Sequence, residues 1–504
     1  MLFNSMEFFI FFPITVLIFY IIPKKVRYVW LLIASYYFYM QWNPVYILLL
    51  FTCTVVTYFG GIFIEKQKNK MAGGKEEEAG ASSIKKKQTA CLVIVLFICL
   101  GILGYYKYAD FIVSNVNRIL SLLSIGTIQW EHSILLPAGI SFFTLQALGY
   151  LIDVYRGEIY AEKNFLHYAL FLSFFPQLVA GPIERSKNLL VQLHKPQAFS
   201  WNNFRKGILL MLWGLFLKMV IADRAAIIVN TVYEDSTYYG GLFIVVATLL
   251  FAIQIYCDFY GYSIIAKGAA LIMGIHLMDN FQAPYFARNV KEFWRRWHIS
   301  LSGWFRDYLY IPLGGNRKGW LRKQLNLLLV FGVSGLWHGA SVAFIVWGGL
   351  NGAYQVLGDI YTSWKKKLRT WRKAQDDSFG RVWLQRIITF GLVCFAWIFF
   401  RAGDMSDAII IVKNMCHFNW WILFDGSLYI LGVSKEYFHV LLCAILLLFA
   451  VDLKKYKGVD VAEGFLRQEW WFRTLGYVAL VMIILVFGCY GVEYDTQQFI
   501  YFQF

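Results

Sequence analysis

What most constrains this chain is a series of apolar stretches, each close to the length of a bilayer-spanning helix. Met6–Ile22, Val45–Ile64, Leu242–Cys257, Ile387–Phe400 and Gly476–Gly488, taken with their flanks, approach or exceed the roughly 18 to 20 residues that cross a hydrocarbon core. In lipid, backbone polar groups are satisfied only within helices or closed barrels. A barrel would show short alternating strands, whereas these runs are continuous, so the fold class is an all-α polytopic membrane protein. Charged residues make up only 15% of the 504, against about 25% in a soluble domain.

The charge that remains is gathered in loops. The segments 65–88, 288–323 and 365–386 carry +3, +7 and +6, which together account for the whole +16. The positive-inside rule places all three in the cytoplasm and, counting spans outward, puts both termini outside. A basic chain raises the question of nucleic acid, but charge confined to loops between spans belongs to a membrane protein, and no nucleic-acid partner is expected. Residues 65–88 are a low-complexity mixture of Lys, Glu, Gly, Ala and Ser that reads as a flexible cytoplasmic linker. The eight cysteines form no CxxC and mostly lie in apolar runs, where they read as small buried residues. The first apolar run has no basic residues before it and no small-residue cleavage site after it, and is expected to be a retained span.

Several runs are too polar or too short for lipid-facing helices. Within 136–155, Gly139, Ser141, Thr144 and Gln146 predict a helix buried among others. In FLSFFPQLVAGPIER (171–185), Pro176 and Gly181-Pro182 break a run of about a dozen apolar residues, which predicts a re-entrant segment closed by a Glu184–Arg185 ion pair. Lys218, near the end of an apolar run, is expected to snorkel to the interface. Asp258 lies in YCDFYGYS between apolar runs. It is either a functional intramembrane acid or a structural acceptor for a neighbouring helix, and His276 beyond it reads as interfacial.

Two histidines resist explanation as packing. Trp294, Trp297, Leu301, Trp304 and Tyr308 recur at spacings of three and four, predicting one amphipathic helix over 294–308 that ends at Pro312. A second row on it holds Arg295, His298, Ser302 and Arg306. Considered alone, such a helix could simply rest its arginines on lipid headgroups. His338 lies in an apolar run with Ser334 and Ser341 on its row, and with Gly332, Gly335 and Gly339 on a face suited to close helix packing. A polar row in an apolar helix should face a partner or a cavity. A buried imidazole is favoured in its neutral form, which accepts a proton from a hydroxyl. No GxSxG, HExxH or Walker pattern is present, and no cluster has metal-ligand spacing, so no metal site is expected.

The run NVKEFWRRWHISLSGWFRDYLYIPLGGNRKG followed by SGLWHGA resembles the membrane-bound O-acyltransferase family, and within it the bacterial alginate O-acetyltransferase-like branch. LPAGISFFTLQALGYLIDVYRG, LVAGPIERSKNLLVQL, YCDFYGYSIIAKGAALIMGI and FAWIFFRAGDMSDA extend the resemblance over about 136–408. It implies a ring of transmembrane and re-entrant helices around a central tunnel. The chain is then one membrane domain, 1–504, with its core at 136–408 and scaffold helices at 437–504. The family's near-invariant histidine falls on His338 and its second histidine on His298. Two positions depart from the branch: Ile264 stands where an Asp is usual, and Asn351 where a His is frequent.

The activity so implied moves an acyl group, in this branch acetyl, from a cytoplasmic thioester to a hydroxyl of an exported or cell-wall polysaccharide. Transfer is either direct or through an extracytoplasmic acyltransferase-like or hydrolase-like partner. Acetyl-coenzyme A would be a co-substrate, with no tightly bound cofactor. His338 would be the general base. His298 would sit near the cytoplasmic mouth, with Arg295, Arg296 and Arg306 on donor phosphates and Ser334, Trp337, Ser341 and Asp258 in support. One alternative keeps the fold and transfers D-alanyl to teichoic acid from a carrier protein. Another is a transporter or scaffold without covalent chemistry, although no two-fold internal repeat of the transporter kind is present.

Overall fold

The computed structural model describes residues 1–72, 78–130, 136–179, 181–369, 378–417, 419–490 and 499–500. Among them there are helices and turns and no strand. The chain divides into two compact units, 1–208 with 266–278, and 209–265 with 279–504.

The first unit is built from α1 (Met6–Ile21), α2 (Arg27–Met40), α3 (Ile47–Ala72), α4 (Glu78–Leu122), α5 (Ile140–Arg156), α6 (Phe165–Ser173), α7 (Phe175–Leu178) and α8 (Leu189–His194). α5 is buried along almost its whole length, as its polar composition predicts. Its Gln146 donates to the Phe171 carbonyl at 2.7 Å and accepts from Gln177 at 2.9 Å. Those bonds satisfy the backbone where α6 and α7 break. Gly139 begins α5 at φ +74°, and a Cβ there would meet the Leu178 carbonyl oxygen at 2.5 Å. Only glycine allows that approach. The expected Glu184–Arg185 pairing is not the main anchor of Glu184. Its buried carboxylate accepts from the Met278 N–H at 2.6 Å and from Asn188 Nδ2 at 2.7 Å.

The linker expected over 65–88 is helical wherever it is described: α3 continues to Ala72 and α4 starts at Glu78. Lys, Glu, Gln and Ala are strong helix formers. Gln67, Ile84 and Gln88 are buried, and Gln88 Nε2 donates across to the Ile64 carbonyl at 3.4 Å, so the two helices stay joined there.

The second unit contains the end of α9 (Trp201–Leu215), a π-helical turn at Phe216–Ala222, α10 (Asp223–Glu234) and most of α11 (Leu242–Ile272). Then come α12 (Val290–Arg296), α13 (Ile299–Phe305), α14 (Trp320–His338), α15 (Val342–Arg369), α16 (Phe379–Arg401), α17 (Met405–Asn414), α18 (Lys435–Tyr456), α19 (Val461–Leu466) and α20 (Trp470–Phe487). α14 and α15 form a tight hairpin, which α16 joins through α15. Among the described residues six helices are long and apolar enough to cross a bilayer: Pro44–Lys70, Ser82–Leu122, Leu242–Ile272, Phe379–Arg401, Lys435–Tyr456 and Trp470–Phe487.

Candidate functional site

The segment predicted as one amphipathic helix is broken at the histidine. α12 ends at Arg296, and His298 takes φ +43°, ψ +54°, in the left-handed region, before α13 begins. That conformation costs a residue with a Cβ about 1–3 kcal/mol and persists only where the surroundings enforce it. Here they do. The Gln282 N–H donates to the Arg296 carbonyl and the Ile299 N–H to the Asn280 carbonyl, both at 3.0 Å, so 280–282 brackets the turn on both sides. Below the break, a π-helical turn at Arg306–Tyr310 runs into the predicted Gly314-Gly315 turn, where Asn326 donates to the Gly315 carbonyl at 3.0 Å.

Breaking the helix buries it. Trp294, Trp297, Leu301, Trp304 and Phe305 are all interior, and His298 is 0% exposed. Its ring stands edge-on to Phe259 of α11 at 4.6 Å between centroids. Desolvation pulls the imidazole far below its ordinary value, to about 3, so His298 is neutral throughout the physiological range.

His338 is the last residue of α14 and is also buried, at 4%. Trp337, Trp347 and Phe400 surround it edge-on at 4.9, 5.0 and 5.4 Å. The two imidazoles lie 6.5 Å apart between centroids. The sequence predicts them at different depths, His298 at the cytoplasmic mouth and His338 farther in. The structure instead brings the two rings together, the turn at His298 setting its imidazole beside that of His338.

The hairpin positions His338 through glycine. A Cβ on Gly335 would lie 2.3 Å from the Phe344 carbonyl oxygen, and one on Gly348 would lie 2.3 Å from that of Phe331. Gly332, expected on the same face, has nothing within 4 Å. Ser334 is buried one turn before His338, while Ser341 lies in the turn and caps α15 by accepting from the Ala343 N–H at 3.1 Å.

The remaining candidates divide. Arg295 is exposed. Arg296 pairs with Glu292 at 3.0 Å and stacks over Tyr456 at 4.6 Å, and the exposed Arg306 pairs with Asp307 at 2.8 Å. Asp258 is tied to Lys218 at 2.7 Å, and Lys218 also reaches Asp223 at 2.8 Å. Lys218 therefore does not snorkel. It is 1% exposed, held where the π-helical turn points it at two carboxylates. Asp258 also accepts from the Ile500 N–H at 2.8 Å, which fits the structural-acceptor reading.

Sequence reasoning missed Asn280, Trp347 and Phe400. It noted Asn351 only as a departure. In the structure Asn351 is buried and accepts from the Trp294 indole at 3.2 Å. None of the four carried a signal that local pattern could pick out.

An all-helical, multi-pass membrane protein with a paired-histidine site is the class that fold and site define. The membrane-bound O-acyltransferase family matches residues 37–399, and the chain belongs to it. It is 36% identical to a probable alginate O-acetylase of Pseudomonas aeruginosa over 84% of this chain and 76% of that one. It is 34% identical to a peptidoglycan O-acetyltransferase of Helicobacter pylori over 77% of this chain and 74% of the relative. A teichoic acid D-alanyltransferase of Bacillus subtilis is 28% identical over 53% of this chain and 69% of its own. The chain is thus a membrane acyltransferase of the alginate O-acetylase-like branch.

Proposed function

We propose that this protein moves an acetyl group from acetyl-coenzyme A, or another cytoplasmic acetyl thioester, to a hydroxyl of an exported or cell-wall polysaccharide. The acyl group passes directly or by way of an extracytoplasmic acyltransferase-like or hydrolase-like partner. The pair of buried imidazoles 6.5 Å apart is the observation that carries this reading, and the acetyl-transferring relatives support the choice of acyl group. The charge pattern supports a plasma-membrane orientation with the three basic segments inside and both termini outside.

In the proposed step, the acceptor oxygen bonds to the thioester carbonyl carbon while its proton passes to His338. The carbon–sulfur bond then breaks, and the leaving thiolate takes that proton, giving an O-ester and a free thiol. His298, neutral and close enough to touch the same reacting group, orients the donor carbonyl. The exposed Arg295 has its guanidinium available to donor phosphates, while Arg296 and Arg306 would have to exchange carboxylates for them.

A general base contributes about 10²–10⁴-fold, so His338→Ala should nearly abolish transfer, and His298→Ala should weaken donor use. The test is mass spectrometry of wall and exported polymers from a deletion strain complemented with each variant. Loss of O-acetyl ester is expected. Loss of D-alanyl ester would point instead to the chemistry named for the Bacillus relative. Full transfer by a well-expressed His338→Ala protein would refute the mechanism.

A further inference from the structure

The left-handed turn at His298 is held from one side by a single buried residue. Asn280, 3% exposed, makes three hydrogen bonds. Its carbonyl accepts from the Ile299 N–H at 3.0 Å, its Oδ1 accepts from Ser300 Oγ at 2.6 Å, and its Nδ2 donates to Ser263 Oγ at 2.9 Å. The first two bonds take hold of the two residues that follow His298. The third ties them to α11. Ser263 lies four residues after Phe259, on the same helical face, and Phe259 is the ring against which His298 packs. One face of α11 therefore sets both the backbone of the turn, through Asn280, and the plane of the imidazole, through Phe259.

We propose that Asn280 is a positioning residue for His298, fixing the turn so that the imidazole meets the reacting group beside His338. The proposal rests on the two-histidine reading above. Asn280 touches neither substrate in that reading and acts only through the histidine. Without its side chain, Ser300 and Ser263 lose their shared partner, and the turn keeps only its backbone bonds and the long 3.4 Å bond from Ser302 Oγ to the Trp297 carbonyl to oppose its return to ordinary helix. The His298 ring would then swing with the backbone.

The test uses the full chain in membranes, with acetyl-labelled acetyl-coenzyme A as probe and label in polymer as readout. Asn280→Ala and Ser300→Ala are compared in the wild-type and His298→Ala backgrounds at matched protein levels. Small misplacements of a reacting group cost up to about 10²-fold, so Asn280→Ala should lower the rate roughly 10–100-fold, and Ser300→Ala less. In the His298→Ala background, the same substitutions should add almost nothing, the mark of two residues acting as a unit. Wild-type rate for Asn280→Ala beside an impaired His298→Ala overturns the proposal. An equal fold-loss in both backgrounds also overturns it, because that is what a general packing role produces. If Asn280→Ala fails to accumulate, Ser300→Ala, which removes one bond, takes its place: a loss confined to the wild-type background supports the proposal, and an equal loss in both, or none in either, overturns it. Wild-type rate for His298→Ala defeats the two-histidine reading itself, and the proposal with it.

Discussion

Replacing Gly335 by alanine should disable the enzyme from outside the site. A Cβ at this position would lie 2.3 Å from the Phe344 carbonyl oxygen and 3.3 Å from the Gly348 Cα. Cβ contacts under 3.0 Å are essentially never tolerated, so α14 and α15 must part by about 0.7 Å at this level. The obstacle is backbone on a packed helix, not the movable end of a side chain. Overpacking of this kind costs about 1–3 kcal/mol. His338 lies one turn farther along α14, and Trp347, next to Gly348 on α15, packs against its ring at 5.0 Å. Parting the hairpin therefore shifts the imidazole and its wall together, a displacement that can cost up to about 10²-fold in rate.

The same helix supplies the control. Gly332 has nothing within 4 Å of its would-be Cβ, and alanine is better than glycine in a helix by about 0.8–1.0 kcal/mol. Gly332→Ala should therefore match or exceed the wild-type melting temperature and retain full transfer. Polymer O-acetylation and thermal unfolding in detergent would be measured for both variants at equal expression. If Gly335→Ala is as active and as stable as Gly332→Ala, the close approach of α14 and α15 does not position His338.

Two further outcomes are expected. Lys218→Met leaves Asp223 and Asp258 buried without their shared cation, and losing one partner of a buried pair costs about 3–5 kcal/mol. It should lower the melting temperature markedly, adding Asp258→Asn should recover part of the loss, and a wild-type melt for Lys218→Met would contradict the pairing. A cysteine placed at Ser82 should resist impermeant thiol reagents applied to intact cells and react once the membrane is opened; labelling from outside would reverse the inferred orientation.

Much of this architecture is legible from local pattern. Apolar run length points to the spanning class, the polar residues of 136–155 to the burial of α5, and Pro176 with Gly181-Pro182 to the break after α6. What is not legible depends on partners distant in sequence. Periodicity through 294–308 predicts an unbroken helix, and nothing local contradicts it. The turn at His298 exists because Asn280, 18 residues earlier, holds it there. Lys218 reads as a snorkelling lysine because an apolar run ends near it. One of its two actual partners, Asp258, is 40 residues away on another helix, and the nearer one, Asp223, is brought to it by the π-helical turn. In 65–88 the described parts, up to Ala72 and from Glu78, are helical, and the reason is different: low complexity suggests flexibility, although Lys, Glu, Gln and Ala favour helix; residues 73–77 lie outside the described residues.

The polarity of YCDFYGYS raises the question of whether α11 itself carries chemistry. The helix runs unbroken through the segment, and its polar side chains are spent on neighbours. Tyr256 donates to Asp452 at 2.8 Å, and Tyr260 accepts from Lys455 at 2.9 Å. Asp258 is taken by Lys218 and the Ile500 N–H, and Ser263 by Asn280. Buried polar groups are tolerated when such bonds are made, and breaking any one of them leaves a desolvated partner behind. These bonds join α11 to the π-helical turn, to α18, to Ile500 near the C-terminus and to the clamp on His298. A substitution at Asp258 that abolished transfer would therefore not identify it as a catalytic acid, since the same loss follows from releasing Lys218. The rings of His298 and His338 lie 6.5 Å apart and pack edge-on against Phe259, Trp347 and Phe400, and the proposed mechanism gives proton transfer to His338 and not to Asp258.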